Sequence, residues 1–173
     1  METLKAIVKR KSTRSYKQDQ IPDNMLNTIL AAGCAAPVGM GKYGSLHLTV
    51  IQDKTVLKNI SASVSKMMNM EADMLYGAPT IVLISSHDVD IPGIDYANVG
   101  CVLENMAIAA ADQKIDNCIV WGAGMAVSAD IQLAKALKIP EGFKPVGSIA
   151  LGYATTPNET EKELNITISM NRV

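Results

Sequence analysis

The segment Tyr96–Ala111, YANVGCVLENMAIAAA, constrains the fold of this chain more than any other stretch. It is apolar nearly all round, and a helix without a polar face belongs in the middle of a structure or in a subunit interface. It is not a membrane span: Asp95, Asn98, Glu104 and Asn105 interrupt it, and about 18 or more uninterrupted apolar residues would be wanted. Glu104 raises its own question, because a buried carboxylate must be paired, protonated or placed at an interface. A structural pairing role is the plainer reading.

The segments around it alternate between helical and strand patterns. Leu4, Ile7 and Val8 form one face of a short amphipathic helix that runs into the basic stretch Lys9–Arg14. Pro22 and Asp23 open a second helix, with Met25, Leu26, Ile29 and Leu30 as its buried stripe and an end near Gly33. A loop leads to the alternating, β-rich Leu46–Ile51, and from Asp53 the helical spacing returns through Val56, Leu57, Ile60, Val64 and Met67. Thr80–Ser85 (TIVLIS) is a continuous apolar run of the kind buried on both faces, so it reads as a central strand. Beyond the apolar helix, Cys118–Trp121 reads as a strand, Gly122–Gly124 as a turn, Ile131–Leu137 as a helix stopped before Pro140, and Val146–Gly152 as a strand. The polar tail from Thr155 returns to alternation at Leu164–Met170, which reads as a closing strand. The βα units are too few and irregular for a doubly wound parallel sheet, so the pattern points to an α+β layered fold. The length of 173 residues suits one domain over residues 1–173.

Composition excludes several function classes. Sixteen Lys and Arg against 17 Asp and Glu leave a net charge of -1, which argues against whole-surface attraction to nucleic acid or anionic membrane. Cys34, Cys101 and Cys118 stand far apart with no C-x-x-C, and two His complete no zinc pattern with them, so neither a metal nor a disulfide framework is implied. Scattered thiols in odd number fit a reducing interior, and the Met1–Lys5 start shows no cationic and apolar leader, so the expected location is cytoplasmic. Nucleophile elbows and paired carboxylates are absent from the sequence, which leaves hydrolysis without machinery.

The sharpest chemical signal is Lys9-Arg10-Lys11-Ser12-Thr13-Arg14-Ser15-Tyr16, which holds two of the chain's three Arg. Guanidinium forks match phosphate oxygens, and Ser12 adds a neutral donor, so the run suits a phosphoester or the polar edge of a ring. A solvated charge run complementing a helix dipole is the alternative. Gly39-Met40-Gly41-Lys42-Tyr43-Gly44 spells G-x-G-x-x-G, but Ala35-Ala36-Pro37 precedes it and a strand follows it, the reverse of a dinucleotide fingerprint. What remains is a loop whose bare backbone can approach a flat ligand, or simply a turn-rich connection. Trp121-Gly122-Ala123-Gly124, directly after a strand, can present backbone N–H groups to a ligand or be a plain turn. His47 and His87 have no catalytic neighbours at a suitable spacing and read as structural.

Taken in order, the segments R-K-S-T-R-S-Y, A-A-P before a glycine loop, L-H-L-T-V-I, G-A-P-T-I-V-L-I, D-Y-A-N-V-G-C-V-L-E-N-M-A-I-A-A and K-P-V-G-S-I-A-L-G-Y resemble the FMN-dependent nitroreductase family from about Leu4 to Tyr153. The resemblance implies an α+β fold, a layered α/β/α domain with a central, mainly antiparallel sheet, in an interlocked homodimer that binds FMN at its interface. Carried over by position, Arg10, Lys11, Ser12 and Arg14 would hold the FMN phosphate and the polar edge of its ring. Pro37, Val38, Gly39 and the loop to Gly41 would cover the flavin from the other subunit, and Val120, Trp121, Gly122 and Ala123 would run beside the ring. The implied activity is that of an FMN-dependent oxidoreductase: NAD(P)H reduces FMN, which then reduces a nitroaromatic, quinone or related acceptor in ping-pong order, with no catalytic side chain required. Where the family usually carries Ser, Asn and Gln after the proline, this chain has Val38, Gly39, Met40, Gly41 and Gly44. That departure keeps a second function open, a flavin-binding protein for storage, sensing or flavin fragmentation. The basic pair that often follows the last Gly-Tyr is not evident as a motif; Lys162 and Arg172 are the cations that could take its place.

Overall fold

The computed structural model describes residues 2–87 and 91–173. Its elements follow in the order α1 (Thr3–Lys9), α2 (Asp23–Cys34), β1 (Leu46–Ile51), α3 (Lys54–Met68), β2 (Thr80–His87), α4 (Ile94–Asp112), β3 (Asp116–Ile119), α5 (Trp121–Ala129), α6 (Ile131–Ala136) and β4 (Phe143–Gly152). The four strands form one sheet in the order β1-β2-β4-β3, with every neighbouring pair antiparallel. The apolar run of β2 lies inside the sheet, as its continuous hydrophobicity requires.

Side chains of β2 divide between two cores because successive residues of a strand point to opposite faces. Val82 and Ile84 join Leu26 and Ile29 of α2 and Val99, Leu103 and Met106 of α4 on one face. Ile81 and Leu83 join Leu57, Ile60 and Val64 of α3 and Ala123, Ala126 and Val127 of α5 on the other. The result is helices, sheet, helices, the layered arrangement expected.

Local chemistry explains where the elements begin and stop. The Asp53 carboxylate accepts from the backbone N–H groups of Thr55 and Val56 at 2.9 Å and starts α3, and Asn69, in the left-handed region at φ 52°, ends it. Asp130 caps α6 in the same way by accepting from Leu133 N–H at 3.0 Å.

Four expectations are corrected. The strand expected over Cys118–Trp121 is Asp116–Ile119, and the turn expected at Gly122–Gly124 is the first part of α5. Glycine disfavours helix, but here it lets α5 lie directly on β4: a Cβ at Gly124 would stand 2.6 Å from the Val146 carbonyl carbon and oxygen. Helix α4 buries a single face, Asn98, Val99, Val102, Leu103, Met106, Ala107 and Ala110, while Tyr96, Cys101 and Glu104 are exposed. Glu104 is therefore no buried carboxylate within this chain. The closing strand expected over Leu164–Met170 does not form, and residues 155–173 are exposed and outside regular structure. One sheet edge is already taken, since Ser12 bridges Asn117 of β3 and Thr13 N–H donates to the Asn117 carbonyl at 2.9 Å. Among the described residues no helix is long and apolar enough to cross a membrane, and no three His, Cys, Asp or Glu group as a metal site.

Candidate functional site

The basic run leaves α1 at Arg10, whose N–H still bonds the Ala6 carbonyl at 2.9 Å, and continues in extended form along β3. Extended backbone sends alternate side chains to opposite sides. Thr13 takes one side, donating to Asp116 Oδ1 at 3.2 Å, and Lys11 donates to Asn158 and Thr160 of the tail. Arg10, Ser12 and Arg14 share the Cys118 side instead. Burial raises the Cys118 thiol above its ordinary pKa, and Arg14, a hydrogen bond from Ser12, and Arg10 act against that rise. Among the described residues neither guanidinium enters a hydrogen bond or ion pair with another side chain or the backbone. Both keep their donors for something else.

Two residues beyond the end of β3, α5 begins without a cap. Val120 is tied to β4 from both directions, its N–H donating to the Ser148 carbonyl at 2.8 Å and its carbonyl accepting from Ser148 Oγ at 2.7 Å. No side chain caps the first turn, so its leading N–H groups remain available to an acceptor. Gly122 is partly open, and a Cβ there would stand 3.1 Å from Val64. The Trp121 ring lies over Gly147, where a Cβ would come within 2.8 Å of it, yet Trp121 is 40% exposed. Tyr96 of α4 faces that ring with centroids 6.3 Å apart and is 62% exposed. Two exposed, neighbouring aromatic faces in a chain that is only 4% aromatic mark a surface fit for a flat ligand.

The loop before β1 lies elsewhere. Gly39 N–H donates to Asn98 Oδ1 of α4 at 2.9 Å, and Ile94 approaches so closely that a Cβ on Gly39 would stand 2.9 Å from it. Val38 is buried, Pro37 and Gly41 are exposed, and Met40 (φ 57°) and Gly41 (φ 65°) take left-handed backbone. No hydrogen bond, ion pair or ring contact among the described residues joins this loop to Arg10, Ser12 or Arg14. The structure thus lays the cationic run beside β3, whose far end leads into residues 120–123, and places the Pro37–Gly41 loop on the first turns of α4.

Tyr96 escaped the sequence patterns, and Lys162 is one of the two cations offered there in place of the distal basic pair. Tyr96 reads there as one more apolar position of a helix, and only the packing shows its ring turned to Trp121. Lys162 follows no motif, yet its N–H donates to the Val8 carbonyl at 3.0 Å. Its ammonium is held below the usual lysine range by burial and by the Arg10 charge, with Glu104 opposing and Lys11 adding to the shift. The two His are aromatic neighbours of Phe143, edge-on at 5.8 Å for His47 and 5.2 Å for His87.

Comparison with known proteins identifies the family. The nitroreductase family model matches residues 7–153. A Methanothermobacter thermautotrophicus protein with the provisional name NADH dehydrogenase/NAD(P)H nitroreductase is 24% identical over 156 residues, 88% of this chain and 78% of its own. A solved nitroreductase from Bacteroides fragilis with bound FMN is 27% identical, with a TM-score of 0.84 over 99% of this chain and 100% of that one. One from Desulfitobacterium hafniense, also with bound FMN, shares the fold at a TM-score of 0.85 and 24% identity, over 99% and 100% of the two chains. With one family model running from α1 through the end of β4, over the sheet and both the basic run and the start of α5, this chain belongs to the nitroreductase family.

Proposed function

We propose that the protein is an FMN-dependent NAD(P)H oxidoreductase. The observation that carries this reading is the pair of unengaged guanidiniums, Arg10 and Arg14, in a run laid along β3, the strand that leads into the uncapped start of α5. A flavin mononucleotide has the two features these groups select: a phosphate and a flat ring with acceptors along one edge. FMN, when bound, supplies the redox chemistry, taking a hydride from NADH or NADPH and passing electrons to a nitroaromatic, quinone or related small acceptor.

The chain's own residues bind and orient. Arg10, Ser12 and Arg14 supply charge-assisted donors for the phosphate and the polar ring edge. The N–H groups at the head of α5 favour negative charge, because they are unpaired and carry the positive end of the helix dipole. Trp121 and Tyr96 give the ring's surroundings an apolar face. A single chain leaves that face open, and the Pro37–Gly41 loop of a second copy is the proposed cover, in a homodimer. Donor and acceptor would then use one place in turn, giving ping-pong kinetics. A second reading, flavin binding without NAD(P)H turnover, is favoured by that loop, whose Val38, Gly39, Met40 and Gly41 offer no polar side chain.

The visible spectrum of the purified protein, recorded before and after anaerobic addition of NADPH and then NADH, tests both. A flavin spectrum that bleaches supports the oxidoreductase, and steady-state assays with quinones and nitroaromatics then find the acceptor. A flavin spectrum that persists favours the second reading. A colourless protein that FMN does not reconstitute overturns both. Replacing Arg10 and Arg14 together by Ala should weaken FMN binding by roughly a hundredfold or more, at 1.5–3 kcal/mol for each charged hydrogen bond lost; unchanged affinity would remove these residues from the site.

A further inference from the structure

The basic run contains two kinds of cation. Arg10 and Arg14 are unengaged, whereas Lys11 is saturated: its ammonium donates to the Asn158 carbonyl at 2.9 Å, to Asn158 Oδ1 at 3.0 Å and to Thr160 Oγ1 at 2.9 Å. An ammonium has three protons, so Lys11 has none left for a phosphate. Its acceptors are organised in advance, since Asn158 Oδ1 also accepts from Thr160 N–H at 3.1 Å and from Thr160 Oγ1 at 2.8 Å.

This contact is the middle of a longer attachment. Ala154 N–H donates to Asp116 Oδ2 at 2.8 Å, and Thr155 bonds Ser15 through N–H to carbonyl at 3.1 Å and through hydroxyls at 2.9 Å. Further on, Lys9 faces Glu161 at 3.8 Å and Lys162 N–H donates to the Val8 carbonyl. Residues 154–162 therefore cross the basic run as a strap without helix or strand of its own, so its position depends on these side-chain and backbone pins.

We propose that Lys11 is a positioning residue for anion binding: by pinning Asn158–Thr160 it sets Lys162 beside Arg10, so that strap and basic run build one phosphate-monoester site between them. The inference deepens the flavin reading given above and rests on it. Arg10 and, more weakly, Lys11 oppose the Lys162 charge, and Glu104 offsets them in part. A bound phosphate relieves that repulsion. Anion and strap are then coupled reciprocally: whatever loosens the strap weakens the anion, and the anion tightens the strap.

The test is a double-mutant cycle with Lys11→Met and Lys162→Met, which keep the aliphatic stems. FMN affinity is read by fluorescence quenching, and hydrogen exchange of residues 154–164 is read by mass spectrometry on the apoprotein and on the FMN complex. Lys11→Met should accelerate exchange of the strap and weaken FMN roughly tenfold, with little further loss in the Lys162→Met background, since a pin acting through Lys162 has nothing left to position. Lys11→Arg, which can still donate to Asn158, should recover part of the affinity. Asn158→Ala should reproduce Lys11→Met from the other side of the contact. Additive losses would show that Lys11 touches the anion itself, and unchanged strap exchange would show that it pins nothing; either overturns the proposal. If the unaltered protein binds no FMN, the flavin reading fails by itself. Inorganic phosphate then serves as the probe: slower strap exchange on its addition, abolished by Lys11→Met, keeps the coupling, and no slowing ends it.

Discussion

Cys118 sets burial against charge at a single residue. Its thiol lies within the influence of two guanidiniums and a Ser12 hydrogen bond, all of which favour the thiolate, yet desolvation is the larger effect and its pKa stands above the ordinary 9.0. Alkylation by iodoacetamide should therefore reach Cys118 after the exposed Cys34. Its rate should go on rising with pH beyond the ordinary thiol range. The sign for stability follows: above the titration of the unfolded thiol, the unfolded chain has released its proton while the folded chain retains it, so this residue lowers stability as pH rises. Mass-spectrometric mapping of alkylated thiols against pH checks the order, and a Cys118 that reacts as fast as Cys34 at neutral pH would refute it. The same neighbourhood shows what could be read at this scale. Arg10, Ser12 and Arg14 were legible because rare guanidiniums flank a hydroxyl in one short run. The engagement of Lys11 was not, because its acceptors lie 147 and 149 residues away in the chain.

Helix α5 is where two effects of known size oppose each other within one element. Gly122 and Gly124 each cost about 1 kcal/mol of helix propensity relative to Ala, and residue patterns alone accordingly make this stretch a turn. Packing reverses the outcome, since Gly124 meets the Val146 backbone and Gly147 on β4 meets the Trp121 ring. Gly124→Ala should consequently destabilise. The propensity gain is outweighed by overpacking of about 1–3 kcal/mol, because the obstacle is backbone that cannot rotate away. A thermal melt should fall by several degrees, at about 2–4 °C per kcal/mol for a chain of this size. An unchanged or raised melting temperature would mean that α5 does not sit on β4 as described. Strand β2 presents the opposite case: its continuous apolar run was legible as a central strand because burial on both faces leaves a signature within the segment itself.

Across the whole molecule, the described fold leaves apolar surface uncovered, on α4 and the tail among other places. Helix α4 presents Tyr96 and Cys101 on its outer side, and the tail carries Leu164, Ile166, Ile168 and Met170, each more than half exposed. Exposed apolar surface on this scale marks an interaction site, and a second copy is its proposed partner. Sedimentation should give the mass of two chains, and removing residues 163–173 while keeping the strap should shift the equilibrium toward monomer and reduce bound FMN. A monomeric full-length protein, or a shortened one with unaltered dimer and flavin, would contradict this. The sequence by itself determined most of the element order, the central strand, an apolar helix at Tyr96–Ala111 and the basic run, because periodicity and propensity act over about ten neighbouring residues. Only the tertiary structure decided that Gly122–Gly124 are helical, that Glu104 is exposed, that Lys11 is bound to the tail and that Leu164–Met170 finds no strand partner. Each of those depends on which distant surfaces meet, and a contact between residues far apart in the chain leaves no local pattern to read.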